Sequence, residues 1–535
     1  MKTMINSIIL ASCLALPLAS CSDSDAAPEQ KDWSTTTYFN SSDAAAQDTY
    51  YKPAVGYVGD PMPFFDPVAG DFKVLYLQDF RPNPEGTYHP IWGVSTKDAA
   101  HYTALGELVS CGTLKSQDAA IGTGSTIYDE ASKLYYTFYT GNKYKPTGDE
   151  SAQAVMVATS ADFKTWTKDR TFLIKGQDFG YDKNDFRDPF VFKGDDGKFH
   201  MLISTKKGGK GSLAEFVSDD LKNWTDNGVF MTMMWDRFYE CPDLFKMGDY
   251  WYLVYSELHH AVRRVQYFKG RTLDELKACT ASDAGIWPDA HEGFLDSRGL
   301  YAGKTASDGT NRYLWGWCPT RSGKDNTAVG ASPAEPEWAG NLVCYKLIQH
   351  EDGTLTLGQV DAVSEKYNQD VAVEVKESQN MTEADGTYTL AGNAEQADAY
   401  MLMGRLGNHN KISFTVTTSN KWDKFGISMV RGSDSKKYYT MVVNPEDENN
   451  RKVNFEEQGV EGKGFIAGID GYVFARPADN VYNITIYTDN SICVMYINDV
   501  CSYTNRIYGI QKNCWSIDSF NGANVKVSNL KISQY

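Results

Sequence analysis

Three times in this chain an acidic residue stands just before two short aromatic-rich runs joined by a tight turn, and this recurrence constrains the fold more than any other feature. Asp60-Pro61 leads to Phe64-Phe65, a turn over 66–71 and the run 72–78. Arg187-Asp188-Pro189 leads to 190–192, a turn over 194–197 and the run 199–204. Tyr239-Glu240-Cys241-Pro242-Asp243 leads to 244–247, a turn at Gly248-Asp249 and the run 250–255. Alternating runs rich in aromatic and β-branched residues, bounded by turn formers, are hairpins. A second repeat closes the units: Ser95-Thr96-Lys97-Asp98 with Tyr102-Thr103, Ser160-Ala161-Asp162 with Trp166-Thr167, and Ser218-Asp219-Asp220 with Trp224-Thr225. Five such units can be counted, beginning near Asp60, Gly124-Ser125, Asp188, Glu240 and Asp296. Self-similarity at about 50 to 65 residues with several strands per unit describes propeller blades, and blades around an axis bring equivalent positions together. On this reading Asp60, Asp188 and Glu240 occupy one structural position and converge.

After about Gln359 the pattern changes. Residues 361–370 read as a linker, and 371–535 alternate apolar and polar residues over short runs such as Ile412 to Val416 and Tyr482 to Tyr487, which predicts an antiparallel sandwich. The expected class is all-β, with a five-bladed propeller over 39–360 followed by the sandwich. The N-terminus reads as a leader: Lys2, an apolar run from Ile8 to Leu18, then Leu18-Ala19-Ser20-Cys21. That tetrapeptide resembles a bacterial lipobox, so residues 1–20 are expected to be removed, Cys21 to carry lipid, and 21–38 to form a tether. The acidic run Ser22 to Asp25 resembles a surface-export signal of Bacteroidetes lipoproteins, which places the protein at the outer membrane, exposed on the cell surface and in membrane contact through that lipid alone.

A net charge of -17 argues against a nucleic-acid partner. The 33 Tyr and 12 Trp serve cores first, and also suit surfaces that stack on sugars. The remaining eight cysteines show no CxxC spacing, so neither a zinc site nor a disulfide is expected, and no metal or cofactor is implied. Cleaving a glycosidic bond with retention requires a carboxylate nucleophile and a protonated carboxyl on opposite sides of the scissile bond. Asp60 suits the nucleophile. Glu240, beside Cys241 and Pro242, suits an acid/base in an apolar setting, while Asp188 is expected to stay ionised beside Arg187 and to steady charge developing on the sugar.

Asp60-Pro61, Arg187-Asp188-Pro189 and Glu240-Cys241-Pro242 resemble the three signature motifs of glycoside hydrolase family 32, the invertase, inulinase and levanase group. The resemblance continues through Leu75 to Gln78, Trp92 to Ser95, Gly124-Ser125, Trp338 to Leu342 and, in the far domain, Asp489 to Asp499. It implies a propeller with a sandwich, retaining hydrolysis of β-fructosides, the roles just given for Asp60, Glu240 and Asp188, and a fructose pocket lined by Gln78, Trp92, Ser125, Arg187 and Trp338. Two departures stand out. Tyr57-Val58-Gly59-Asp60-Pro61-Met62 lacks the asparagines that relatives carry around the aspartate, which suggests an open cleft and internal cleavage of levan, a β-2,6-fructan, to oligosaccharides. Val494 stands where relatives often carry Glu. Competing readings are an exo-acting fructanase or inulinase, a fructan-binding lipoprotein without catalysis, and an inverting arabinan-type hydrolase on a similar propeller.

Overall fold

The computed structural model describes residues 49–81, 83–233, 238–257, 264–279, 292–321, 336–432, 437–458 and 471–535; the leader, Cys21 and the tether lie outside them. Among the described residues strands predominate, joined by turns and loops, and the two α-helices are the short Leu273–Ala278 and Asp361–Lys366. Up to Gly358 the strands form successive antiparallel groups in chain order. One sheet comprises Ala120–Asp129, Leu134–Asn142, Gln153–Ser160 and Thr167–Lys168; the next comprises Phe186–Lys193, Phe199–Lys207, Lys210–Ser218 and Thr225–Thr232. A third runs from Glu240–Met247 through Tyr250–Glu257 and Arg264–Gly270 to Glu292–Phe294. The strands from Tyr57–Asp66 to Thr103–Val109 share a single sheet with Tyr301–Ser307, Arg312–Arg321 and Pro336–Gln349, joined where Val58 faces Gly340. The last strands of this half are thereby tied to the first.

The Ser-x-Asp repeats are one turn used three times. Asp98 accepts from the N–H groups of Ala100 and His101, Asp162 from Lys164 and Thr165, and Asp220 from Lys222 and Asn223. A short acceptor that bonds its own backbone two and three residues on fixes such a turn. The residue after each Asp, Ala99, Phe163 and Leu221, has positive φ.

The first strand of every group carries a bulge at the same height. Pairing skips between Gly59 and Met62, between Gly122 and Gly124, opposite Asp188-Pro189, between Glu240 and Asp243, and between Tyr301 and Lys304. The residues in these gaps have positive φ at Asp60, Asp188, Cys241 and Ala302. Bulges re-aim side chains and gather near active sites, and positive φ at a non-glycine residue is strain that the surrounding sheet must hold. This register corrects the expected alignment: Asp60 and Asp188 are equivalent to Cys241, whereas Glu240 stands one residue earlier, at the position of Gly59, Arg187 and Tyr301.

From Gln369 onward two sheets face each other. One contains Thr387–Ala391, Asn524–Gln534, His409–Thr418 and Val481–Asp489; the other contains Ala399–Arg405, Cys514–Phe520, Lys424–Arg431, Tyr438–Pro445 and Asn450–Gln458. Met401, Ile427, Met441, Phe455, Ile484, Met495 and Trp515 interdigitate between them. The segment 361–370, read as the linker, holds the helix Asp361–Lys366 and the start of a strand, Gln369–Val371, that already pairs with the last strand of the sandwich.

The halves are welded by buried groups. Arg506 donates to the carbonyls of Pro319 at 2.6 Å and Cys318 at 2.9 Å and to Asn341 Oδ1 at 2.7 Å. Asp296, expected to open the fifth unit as the acids open theirs, accepts from Ser502 and from both the amide and the hydroxyl of Thr504. It is an interdomain anchor, and the bulged strand of that unit begins at Tyr301. Val494 packs in the same core as Trp315, Tyr345 and Tyr496. A glutamate there would bury a charge, so valine is what this interface requires.

Candidate active site

The bulges bring the three acids into one cluster of shared partners. Asp60 Oδ2 accepts from the Thr123 hydroxyl at 2.7 Å, and Oδ1 accepts from the Trp317 indole N–H at 3.0 Å. Thr123 is itself the bulged residue of the second group, between Gly122 and Gly124. Trp317 touches Tyr301, ring centroids 5.6 Å apart, and the Tyr301 hydroxyl donates to Glu240 Oε2. The other oxygen of Glu240 accepts from Arg187 Nη2 at 2.9 Å. Arg187 Nε lies 4.0 Å from Asp188 Oδ2, which accepts from the Cys241 backbone N–H at 2.9 Å. A continuous chain of contacts thus runs from Asp60 to Asp188 through Glu240.

Electrostatics separate these groups. Asp188 is only 4% exposed, and burial pushes its carboxyl up to about 6; Arg187 pulls it down, Glu240 and Asp60 push it up, and the Cys241 N–H pulls it down. Arg187 does not offset this burial, because desolvation disfavours the charged form by more than one cation at 4.0 Å restores, yet with the carboxyl at about 6 the group is still mainly the anion at neutral pH. Arg187 itself is held charged against its burial by Asp188 and Glu240. Its plane lies over the Phe238 ring at 3.9 Å and its Nη1 donates to Asp185 at 2.7 Å. That setting fixes the guanidinium in one orientation. Glu240 is not in an apolar setting: a cation and a phenol engage its two oxygens.

The other expected pocket residues divide. Gln78 is fully buried, with its amide N–H bonded to the Val55 carbonyl at 2.6 Å and its Oε1 without a partner among the described residues. The Trp92 indole N–H likewise has none. A buried polar atom left unpaired costs about 1–3 kcal/mol, a cost that a ligand hydroxyl can relieve. Trp338 stacks on His89, with centroids 4.1 Å apart and planes within 20°. Its ring also fills the space over Gly59, where a Cβ would come within 2.2 Å of the indole. The glycine and the indole are therefore one feature, and an asparagine at 59 is excluded by it. Met62 is turned inward, its sulfur accepting from the Gly124 N–H at 3.1 Å. Ser125 departs from expectation. Its hydroxyl donates to the Pro189 carbonyl and accepts from the Val191 N–H, each at 2.9 Å, which ties the second group to the third.

Thr123, Tyr301, Trp317 and His89 were not singled out from sequence. Tyr301 could have been found by aligning Tyr301-Ala302-Gly303-Lys304 with Glu240-Cys241-Pro242-Asp243 on the bulge. His89 carries a positive φ of 60°, and burial holds its imidazole neutral with a pKa lowered to about 3, Arg81 adding to the effect.

Comparison with known proteins agrees with this architecture. The model for the glycosyl hydrolases family 32 N-terminal domain matches residues 50–360, and that for the GH32, BT1760-like, C-terminal domain matches 353–532. The chain belongs to glycoside hydrolase family 32. A β-fructofuranosidase, insoluble isoenzyme, of Arabidopsis thaliana is 26% identical over 54% of this chain and 51% of its own length. A fructan 6-exohydrolase of Beta vulgaris is 25% identical over 29% of this chain and 27% of its own. The chain spans about half or less of the length of the curated relatives it matches. Among solved structures, fructan 1-exohydrolase IIa from Cichorium intybus superposes with a TM-score of 0.67 at 16% identity, covering 92% of this chain and 98% of that one. Sucrose-6-phosphate hydrolase from Lactobacillus gasseri superposes with a TM-score of 0.66 at 18% identity, over 91% and 93%. At such identities the likeness is one of fold, a propeller followed by a β-sandwich.

Proposed function

We propose that this protein is a retaining glycoside hydrolase that cleaves internal β-2,6-fructosidic bonds of levan, with its catalytic residues at the centre of a five-bladed propeller. The observation that carries the reading is the placement of Asp60, Asp188 and Glu240 on inner-strand bulges, joined through Thr123, Trp317, Tyr301 and Arg187, in a chain of family 32. In the first step the Asp60 carboxylate attacks the anomeric carbon while the Glu240 carboxyl gives its proton to the departing glycosidic oxygen. In the second, the Glu240 carboxylate takes a proton from water, which attacks the same carbon and releases Asp60. Thr123 and Trp317 hold both Asp60 oxygens, orienting the nucleophile. Asp188, as the anion, accepts from two ring hydroxyls and stabilises positive charge on the ring. Arg187 positions Glu240.

Internal cleavage is supported by what replaces the chain-end contacts. Position 59 is glycine with the Trp338 ring over it, and Met62 points inward, so neither presents an amide to a terminal fructosyl unit. The five strand groups, each opening on one bulge, support five blades. The leader and Cys21 support a lipid anchor at the outer membrane, with fructan captured outside the cell. A second reading, removal of terminal fructose, is favoured by the exohydrolase and fructofuranosidase names of several relatives. A chromatographic time course on levan and on inulin decides: mixed oligosaccharides from levan at the earliest points support the proposal, free fructose alone supports exo action, and binding without products indicates a capture protein.

A further inference from the structure

The sandwich carries an open groove of about 720 Å³ that the catalytic reading does not use. Its floor is the outward face of one sheet. Asn444 faces Lys452 across the pair Tyr438–Pro445 and Asn450–Gln458, and Asn454 and Glu456 follow at the alternate positions that share a face. Its wall is Trp422, 52% exposed. A single exposed aromatic is ordinary on a protein surface. What distinguishes this one is the turn that holds it. Asn420 donates from its amide to Asp423 Oδ2 at 2.9 Å and from its side chain to Oδ1 at 2.7 Å, while Trp422 N–H donates back to Asn420 Oδ1 at 2.9 Å. The fully buried Arg451 then clamps the Asp423 carbonyl at 2.6 Å. The indole is therefore presented by a closed network of bonds.

We infer that this groove is a second binding site for a neutral polysaccharide chain, with Trp422 as the stacking platform. The volume falls in the range of ligand sites, roughly 300–1,000 Å³. The lining has no field of one sign: Asp423, Glu446 and Glu456 stand among Lys424 and Lys452, and Lys424 lies 3.9 Å from Glu456 Oε1. A polyanion needs a concentration of positive charge, whereas amides and paired charges offer donors and acceptors together, which is what sugar hydroxyls require. Lys421, paired with Glu448, holds its ammonium over one face of the Trp422 ring, 5.3 Å from the centroid, so a sugar would stack on the opposite face. The identity of the polymer rests on the reading of the catalytic site as a fructanase. Two sites on one chain hold a polymer at high effective concentration, so the groove acts on polymer capture and is silent toward a trisaccharide too short to bridge them.

The test uses the full chain in affinity gels cast with levan and, separately, inulin. Glu240→Gln is expected to be retarded in the gel of the polymer that the wild-type protein cuts. Glu240→Gln with Trp422→Ala is expected to lose affinity several-fold, and with Trp422→Phe to keep most of it, all three with the same melting temperature. In the active protein, Trp422→Ala is expected to raise KM for the polymer several-fold at constant kcat and to leave trisaccharide hydrolysis unchanged. Equal retardation with and without Trp422, or no retardation of Glu240→Gln by either polymer, overturns the groove. If inulin proves to be the polymer cut and its gel shows the Trp422 dependence, the levan reading fails while the groove stands.

Discussion

The hairpins that open the first and third strand groups place an aspartate at the same bulge with the same backbone hand, φ 31° at Asp60 and 57° at Asp188, yet surround it differently. Asp60 is partly open, and two neutral donors on other groups grip its two oxygens. Asp188 is closed in, with a backbone N–H at 2.9 Å and a cation at the edge of contact. A repeated fold supplies the position, and each neighbour supplies the chemistry. An open carboxylate with both oxygens oriented suits attack, whereas a desolvated one suits binding hydroxyls and responding strongly to nearby charge.

The largest break in this comparison is removal of a reacting group. Glu240→Gln or Asp60→Asn is expected to lower kcat on fructan by about 10³-fold or more, since a positioned acid alone contributes about 10²–10⁴, with the melting temperature little changed. Arg187→Met comes next, at about 10²-fold. Because Arg187 lowers the Asp188 pKa, its loss is expected to move the acid limb of kcat/KM to higher pH; an unmoved limb would separate Asp188 from the titration. The third effect is on stability. The Asp188 carboxyl has a pKa raised from 3.8 to about 6 in the fold, so between those values the folded protein binds more proton than the unfolded chain. Stability therefore falls as pH rises through that window and is flat above it. Asp188→Asn is expected to abolish that slope and raise stability at pH 7.5 by up to about 3 kcal/mol, while ending activity; denaturant melts across the window check both. Thr123→Val, which removes one bond to Asp60, is expected to cost about 1–1.5 kcal/mol in the barrier, roughly ten-fold in kcat. Smallest in function is Ser125→Ala: its hydroxyl ties two groups together, so about 1 kcal/mol of stability is lost with KM unchanged. A raised KM would return Ser125 to the pocket.

Much of this was legible from residues. Hairpins showed as aromatic alternation around Gly-Asp turns, and the Ser-x-Asp repeats are the turns their spacing suggested. The three acids stood out because each precedes a proline, by one residue or two, at the head of a hairpin. Their register did not, because a bulge adds residues to one strand only: sequence aligned Glu240 with Asp60, while pairing aligns Cys241 with it. Asp296 was misread for a related reason, since an acid before a hairpin in the sequence says nothing of what lies across from it, here Ser502 and Thr504 more than two hundred residues away. The segment 361–370 gave no periodicity because the helix there is under two turns long. Partners such as Thr123 and Trp317 come from other strand groups, and no local pattern marks them.

The most direct test of the central assignment is covalent trapping. Glu240→Gln would be given an aryl β-fructoside whose leaving group departs without a proton, quenched in acid, digested with pepsin and read by mass spectrometry. A fructosyl adduct on the peptide bearing Asp60, absent when Asp60→Asn is added, is the predicted result. An adduct on Asp188, or turnover in which no adduct forms at any stage, would contradict the account.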